Sequence, residues 1–158
     1  MSGLSGVSRF PRLIVQDVQA SGVASGTFTA GDWRVRALNT VALNEISGAS
    51  LSSNQIYLQA GEYRCRAFAA AWRAGKNKLL VRDVIASANL LIGMNWECGT
   101  TDDTSIVANV SGQFTLSSAS LVELWHRCDN TSATTGFGVR ATLGVSEIYA
   151  QVELEKIG

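Results

Sequence analysis

Hydrophobic and polar residues alternate along much of the chain, and the clearest alternation follows a turn at residues 60–61. From Tyr63 to Ala71 every second residue is small or apolar. The intervening positions are Arg64, Arg66, Phe68, Ala70 and Trp72. Because side chains of a strand point alternately to its two faces, the pattern predicts a long strand with one face in a core. The other face, basic and aromatic, is typical of a protein contact; an exposed face with two stray aromatics is the alternative interpretation.

Shorter stretches repeat this period of two and predict further strands. They cover residues 13–19, 32–39, 50–52, 55–58, 78–84, 89–96, 105–116, 121–127, 137–143 and 147–157. Gly, Asn and Ser residues separate them, and no stretch keeps helical apolar spacing over three turns. Short strands at nearly regular spacing with such turns predict an all-β antiparallel sandwich or barrel.

Two of these strands carry explicit face predictions. In residues 32–39 the apolar side chains alternate with Arg34 and Arg36, so both arginines are expected away from the core. In the last strand Ile148 shares a face with residues 150, 152 and 154, which predicts that it is buried. Tyr149 then belongs to the opposite face, together with residues 151 and 153.

Length and composition limit the function classes. The 158 residues suffice for one domain with a real core, and 46% hydrophobic residues argue against disorder. The formal net charge is zero, which disfavours nucleic-acid binding through a basic patch. The low charged fraction, 16%, suggests that a partner covers part of the surface. No apolar run has the length of a membrane span, and the first residues lack a secretory signal, so we expect synthesis in a cytoplasm.

Candidate chemistry is sparse, and no catalytic or cofactor-binding residue is assigned. His126 is the only histidine, it shares a strand face with Val122 and Leu124, and no nucleophile motif accompanies it. It is therefore predicted to be structural, as are Glu123 and Glu153, whose alternative role is a carboxylate pair. Three cysteines predict free thiols, and a bond between the second and third, at positions 98 and 128, is left open.

Two weaker sites are considered. Residues 99–104 include Asp102 and Asp103, which offer oxygen ligands to calcium, but they lack the alternating acids of a dedicated loop. A solvated turn is favoured, so no metal or other cofactor is expected. The tryptophans offer a platform for a sugar ring, although in sandwiches they more often fill a core or a subunit contact. They are Trp33, Trp72, Trp96 and Trp125.

Several local patterns, in this order, resemble the jelly-roll head of the C1q and tumour-necrosis-factor superfamily. The matching pieces are residues 60–63, 111–116, 136–139 and 147–154. Residues 26–40, 51–61, 123–127 and 136–139 are more closely similar to small C1q-like proteins of bacteriophages and prophages. The resemblance implies a two-sheet jelly roll and a threefold homotrimer, with an arm and short strand at residues 1–26 and the head at residues 27–158.

In that superfamily one sheet faces the trimer axis, and its last strand supplies an aromatic residue at the position of Tyr149. Combined with the alternation pattern, this predicts a trimer interface. Its residues are Arg64, Arg66, Phe68, Asn109, Tyr149, Gln151 and Glu153. We expect an arginine of the Tyr63 strand to pair with Glu153 of another protomer, so that Glu153→Ala weakens the trimer by several kcal/mol.

The resemblance implies a non-enzymatic structural protein of a phage particle. A capsid decoration or cement protein is the favoured version, since the short arm suits attachment to other virion proteins on a preformed lattice. The alternative is a tail-fibre or receptor-binding head that recognises a host-surface glycan or protein. A small jelly-roll hydrolase using His126 is the remote alternative.

Overall fold

The computed structural model describes residues 9–158, and strands are its only regular elements. They are β1 (Arg12–Gln19), β2 (Arg34–Val35), β3 (Thr40–Asn44), β4 (Ser50–Ser52), β5 (Gln55–Leu58), β6 (Gly61–Trp72), β7 (Gly75–Asp83), β8 (Ala88–Ile92), β9 (Trp96–Cys98), β10 (Ser105–Leu116), β11 (Ser120–Cys128) and β12 (Glu147–Lys156). Within residues 9–158 no helix is long and apolar enough to cross a membrane. The predicted all-β class is confirmed.

The strands form two antiparallel sheets. Sheet I has the order β10-β6-β12-β1-β3, and sheet II has the order β4-β5-β11-β7-β8, with β2 paired to β11 and β9 paired to β7. Strands far apart in sequence lie side by side, as β1 does with β12 and β5 with β11. The chain therefore crosses repeatedly between the sheets, which confirms the predicted two-sheet jelly roll.

The core lies between the sheets and follows the predicted alternation of β6. Its inward residues from Tyr63 to Ala71 are at most 1% exposed. Sheet II contributes Val122 and Leu124 from β11 and Leu79 from β7 to the same core. A second, smaller cluster at one end of the sandwich contains Phe28, Ala71, Ala74, Cys98 and Cys128. The three cysteines are free and buried.

Strand β1 belongs to the body of sheet I. It pairs with β12 on one side and β3 on the other, and Leu13 and Val15 are fully buried. The predicted strand at residues 13–19 is confirmed, but it cannot be separated from the head at residue 26. Residues 1–8 of the predicted arm lie outside the described part of the chain.

Three predicted strands differ from the structure. Residues 89–96, predicted as one strand, are divided between β8 and β9. Residues 32–39 form only the short β2, and beyond it Arg36 and Leu38 turn inward while Val35 lies outward, the reverse of the predicted faces. Residues 137–143 form no strand but a segment that crosses the end of sheet I. Gly138 makes this crossing close: its φ is +134°, and a Cβ there would lie 2.8 Å from Tyr149 Cδ1 and 2.9 Å from Ala70 Cβ.

Candidate subunit interface

The outer face of sheet I gathers most of the predicted interface residues. Phe68 lies opposite Asn109 of β10 on one side and opposite Gln151 of β12 on the other. The row continues to Gln16 of β1, whose Nε2 donates to Gln151 Oε1 at 2.6 Å. One aromatic side chain therefore sits in an uncharged row that crosses adjacent strands.

The next two rows contain ion pairs, and both are made within one chain. Arg66 lies opposite Glu153, with 3.3 Å between Nη2 and Oε2, and Arg64 lies opposite Glu155, with 3.5 Å between Nη1 and Oε2. Glu153 thus has an arginine partner within its own chain, and its pairing with an arginine of another protomer stays a prediction. Such partly exposed pairs contribute only about 0–1 kcal/mol.

Tyr149 occupies a bulge at the start of β12. Asp17 of β1 pairs with Ala150, but the next residue of β1, Val18, pairs with Ile148, so Tyr149 is skipped. A bulge of this kind shifts the alternation by one residue. Ile148, predicted to be in the core, is instead 54% exposed.

The Tyr149 side chain is only 3% exposed, because the segment with Gly138 covers it and its hydroxyl donates to the Val23 carbonyl at 2.6 Å. Burial raises the pKa of this hydroxyl. The side chain predicted to face the axis therefore has almost no surface left for a second copy, and the exposed apolar residue here is its neighbour Ile148.

Two apolar residues that the sequence analysis did not assign to the interface lie beside Phe68. Val107 of β10 is 56% exposed, and with Ile148 it borders a shallow groove of about 110 Å³ over Phe68 and Ala70. Val107 follows the alternation of Asn109 and was recoverable from the sequence, whereas Ile148 was hidden by the bulge. The uncharged row and this groove form one continuous surface, which we call the sheet I patch.

Arg36 is a buried cation, a feature often found at functional sites, and the sequence pattern did not predict its burial. Its role here is structural. Its guanidinium is 1% exposed and donates to the carbonyl oxygens of Ala70, Phe137 and Tyr149 at 2.9, 3.1 and 2.9 Å. Its Cζ also lies 4.4 Å from the centre of the Phe137 ring. Burial lowers the pKa of Arg36 to about 9, against a raising influence of Asp17, and leaves the group charged at neutral pH. Arg36 thus clamps sheet I to the crossing segment.

His126 is held on both ring nitrogens. Arg36 Nη1 lies 3.2 Å from Nδ1, and Asn77 Oδ1 lies 2.9 Å from Nε2. An arginine N–H can only donate, so Nδ1 accepts and Nε2 carries the proton that goes to Asn77. Burial, with the Arg36 charge adding, holds the pKa of His126 well below 6.5. The side chain is fully buried and both ring nitrogens have partners, which is the environment of a structural histidine.

The loop considered for calcium uses its acids internally. Asp102 Oδ1 accepts from the Thr104 hydroxyl at 2.8 Å, and Asp103 pairs with Arg73 at 2.7 Å. Among residues 9–158 no three metal-ligating side chains come together. A solvated turn stays the prediction for this loop, with calcium binding as its alternative.

The tryptophans separate into two settings. Trp72 lies under Arg73 and Trp125 under Arg82, with guanidinium-to-ring distances of 4.3 and 5.0 Å. Trp33 and Trp96 instead line one cleft of about 580 Å³ at the end of sheet II. This second pair borders a concave surface large enough for a small ligand.

No protein-family model and no curated protein sequence matches the chain. Solved structures do. Murine APRIL has a TM-score of 0.60 at 9% identity, with 93% of this chain and 99% of that chain covered. The globular domain of zebrafish complement 1qA protein has a TM-score of 0.59 at 12% identity, with coverage of 94% and 98%.

The vertex protein P5 of PRD1 has a TM-score of 0.56 at 13% identity, and the two chains are covered to 96% and 99%. At these identities the likeness concerns the fold, and it extends over nearly the whole length of each chain. The protein therefore has the all-β jelly-roll fold of TNF and C1q heads.

Proposed function

We propose that the protein is a non-enzymatic structural protein of a bacteriophage virion that assembles as a homotrimer through the sheet I patch. The observation that carries the proposal is the exposure of Val107 and Ile148, 56% and 54%, beside the uncharged row through Phe68. Contiguous exposed apolar surface of this kind marks interaction sites. The resemblance to the C1q and TNF superfamily supports a threefold axis at this sheet.

The charges around the patch suit a contact between copies. Arg64 and Arg66 are neutralised by Glu155 and Glu153 of the same chain, so association does not leave an unpaired charge at the rim. An interface with an uncharged centre and charged residues at its edge has the usual composition of subunit contacts. Partner residues supplied by another protomer are not required.

A place on the particle is supported by two observations. The sequence resembles small C1q-like phage proteins, and a phage vertex protein, P5 of PRD1, is among the structural neighbours. Within this class we favour a capsid decoration protein that attaches to other virion proteins through its N-terminal arm. A variant lacking residues 1–8 is expected to keep its oligomeric mass and to lose binding to capsids.

The assembly is tested by light scattering of the native protein. The proposal predicts three times the chain mass of 16.8 kDa. Binding to capsids that lack this protein is then compared with binding to host cells, and the proposal predicts the capsid. A native mass of one chain would contradict the trimer, and binding to host cells alone would contradict the decoration role.

A second candidate function is a tail-fibre or receptor-binding head. The cleft with Trp33 and Trp96 favours it, because this cleft lies in sheet II, away from the sheet I patch. Adhesion to host cells that disappears when their surface glycans are removed would support this candidate over decoration.

A further inference from the structure

We propose that the cleft at the end of sheet II binds an acidic saccharide, with its ring against Trp33 and Trp96 and its anionic group on Lys78 and Arg127. The inference goes beyond the proposed assembly, because every residue of the site belongs to one chain. The inference therefore does not depend on whether the protein is a trimer.

The cleft has the size and the composition of a small-ligand site. Its volume is about 580 Å³, and ligand sites usually measure roughly 300–1,000 Å³. The residues that argue for its ligand are Trp33, Lys76, Lys78, Trp96, Glu97 and Arg127. Two indole rings offer apolar faces to a flat ligand, and the polar groups around them can orient it.

Two cations in the cleft face each other without a counterion. Lys78 of β7 lies directly opposite Arg127 of β11, and neither forms an ion pair with another residue in the part of the chain that the structure describes. Like charges at opposed positions of neighbouring strands repel. Arg127 Nη2 donates to the Gly31 carbonyl at 3.0 Å, which holds this cation beside the cleft. A bound anion would offset the repulsion.

The other charged side chains of the cleft are Lys76, Glu97 and Asp129, which together carry one positive and two negative charges. Lys76 lies opposite Glu97, and Asp129 Oδ1 accepts from the Lys76 backbone N–H at 2.8 Å. With Lys78 and Arg127 included, the cleft has an excess of one positive charge, and these two are the cations that have no acidic residue opposite them. This places the preference for an anionic group at one defined side of the cleft.

The two indole rings of the cleft favour a saccharide over a small inorganic anion as its ligand. A sugar ring presents C–H groups to an aromatic face and hydroxyls to neighbouring polar groups, here including Asn95 and Glu97. A nucleic acid also stacks on indoles, but it needs an extended basic track, and the chain has no net charge.

The test is an immobilised panel of uronate, sialate and sulfated oligosaccharides, their neutral counterparts with the same backbone, and oligodeoxythymidine. The full chain should bind at least one acidic saccharide and not its neutral counterpart, and added NaCl should weaken the binding. Trp33→Ala and Lys78→Gln should each weaken it about tenfold. Arg82→Gln removes a cation from the same sheet outside the cleft and should leave binding within about twofold of the unchanged protein.

Four results would overturn the inference. They are no binding across the panel, equal binding of the neutral counterparts, binding of oligodeoxythymidine alone, and binding that survives Lys78→Gln. Thermal melting of each variant shows whether it is folded, and Arg127→Gln replaces Trp33→Ala if the latter does not fold. Light scattering of the same samples reports the assembly separately, so failure of the trimer is not confused with failure of the site.

Discussion

The outer faces of the two sheets treat charge in opposite ways. On sheet I, Arg64 and Arg66 lie opposite Glu155 and Glu153, and each cation is paired within its own chain. On sheet II, Lys78 lies opposite Arg127, a second cation. On sheet I these two cations each have an acidic partner, whereas on sheet II the two opposed cations have none and create a local excess of positive charge.

This difference suggests two kinds of partner. A face whose charges are paired within the chain and whose centre is apolar can lie against its copies around a threefold axis, because no uncompensated charge is brought together there. A face with unbalanced cations beside indole rings suits a partner of another chemistry that brings the missing anion. The following predictions test this division, from the largest expected effect to the smallest.

The largest effect is expected from a charge placed in the sheet I patch. Phe68→Glu puts a carboxylate among Asn109, Gln151 and the groove residues, where a subunit contact would bury it without a partner. We expect the native mass to fall from three chains to one. Light scattering measures it.

The matched control is Tyr57→Glu, which places the same charge on an exposed aromatic of sheet II. The native mass should stay unchanged. Equal dissociation by both variants, or by neither, would contradict the assignment of the two faces.

Arg36→Met tests how strongly Arg36 stabilises the attachment of the crossing segment to sheet I. The change leaves three carbonyl oxygens without their donor, while it relieves the desolvation of a buried cation. We expect a net loss of about 2–5 kcal/mol in the free energy of unfolding, measured by urea denaturation.

Arg34→Met serves as the comparison, because Arg34 is less buried and donates only to carbonyl oxygens of its own loop, those of Thr29 and Ala30. Its cost should be within about 1 kcal/mol. Similar losses for the two variants would contradict the role of Arg36 as a clamp.

His126 makes the stability depend on pH. Its pKa is held well below 6.5 in the folded protein, so below about pH 6.5 the unfolded chain binds a proton that the folded chain does not. The free energy of unfolding should therefore fall with decreasing pH, by up to about 1.4 kcal/mol per unit. Urea denaturation between about pH 7 and pH 5 measures this slope.

His126→Gln should be less stable at neutral pH and should lose this slope. The pKa values of Glu45 and Glu147 are lowered, so these groups titrate at more acidic pH. Between about pH 7 and pH 5 the slope is therefore assigned to the chain's single histidine. An unchanged slope in the variant would show that another group titrates.

The smallest effects are expected from two matched charge reversals. Arg66→Glu places a carboxylate opposite Glu153 and should destabilise, whereas Lys78→Glu places one opposite Arg127 and should stabilise. Each change is expected to be about 0.2–1 kcal/mol, of opposite sign, in thermal or urea denaturation at low salt. Two changes of the same sign would contradict the contrast between the faces.

The period of two determines most of the fold, and for that reason the sequence predicts it well. The inward face of β6 and the placing of Phe68, Asn109 and Gln151 on one outer face all follow from alternation. The strands at residues 50–52 and 55–58 follow from the same pattern and its turns. The arrangement in a two-sheet jelly roll came from the family resemblance, since alternation does not say which strands are neighbours.

The failures arise where tertiary contacts override the local pattern. A bulge beside Asp17 exposes Ile148, and no residue type at positions 147–150 indicates that the strand is bulged there. Arg36 is buried because three carbonyl oxygens converge on it from separate segments. Whether Glu153 pairs within or between chains depends on the register of β6 and β12, which is known only once the sheet is assembled.

The central claim, that the outer face of sheet I meets copies of itself, is tested most directly by distances between nitroxide labels on single cysteines. The native thiols are buried, and burial raises the pKa values of Cys65 and Cys128 to about 12 and about 11, so an introduced surface cysteine reacts first. We predict a short intermolecular distance for a label at Asn109→Cys and a longer one at Tyr57→Cys. No intermolecular coupling, or the shorter distance at Tyr57→Cys, would contradict the account.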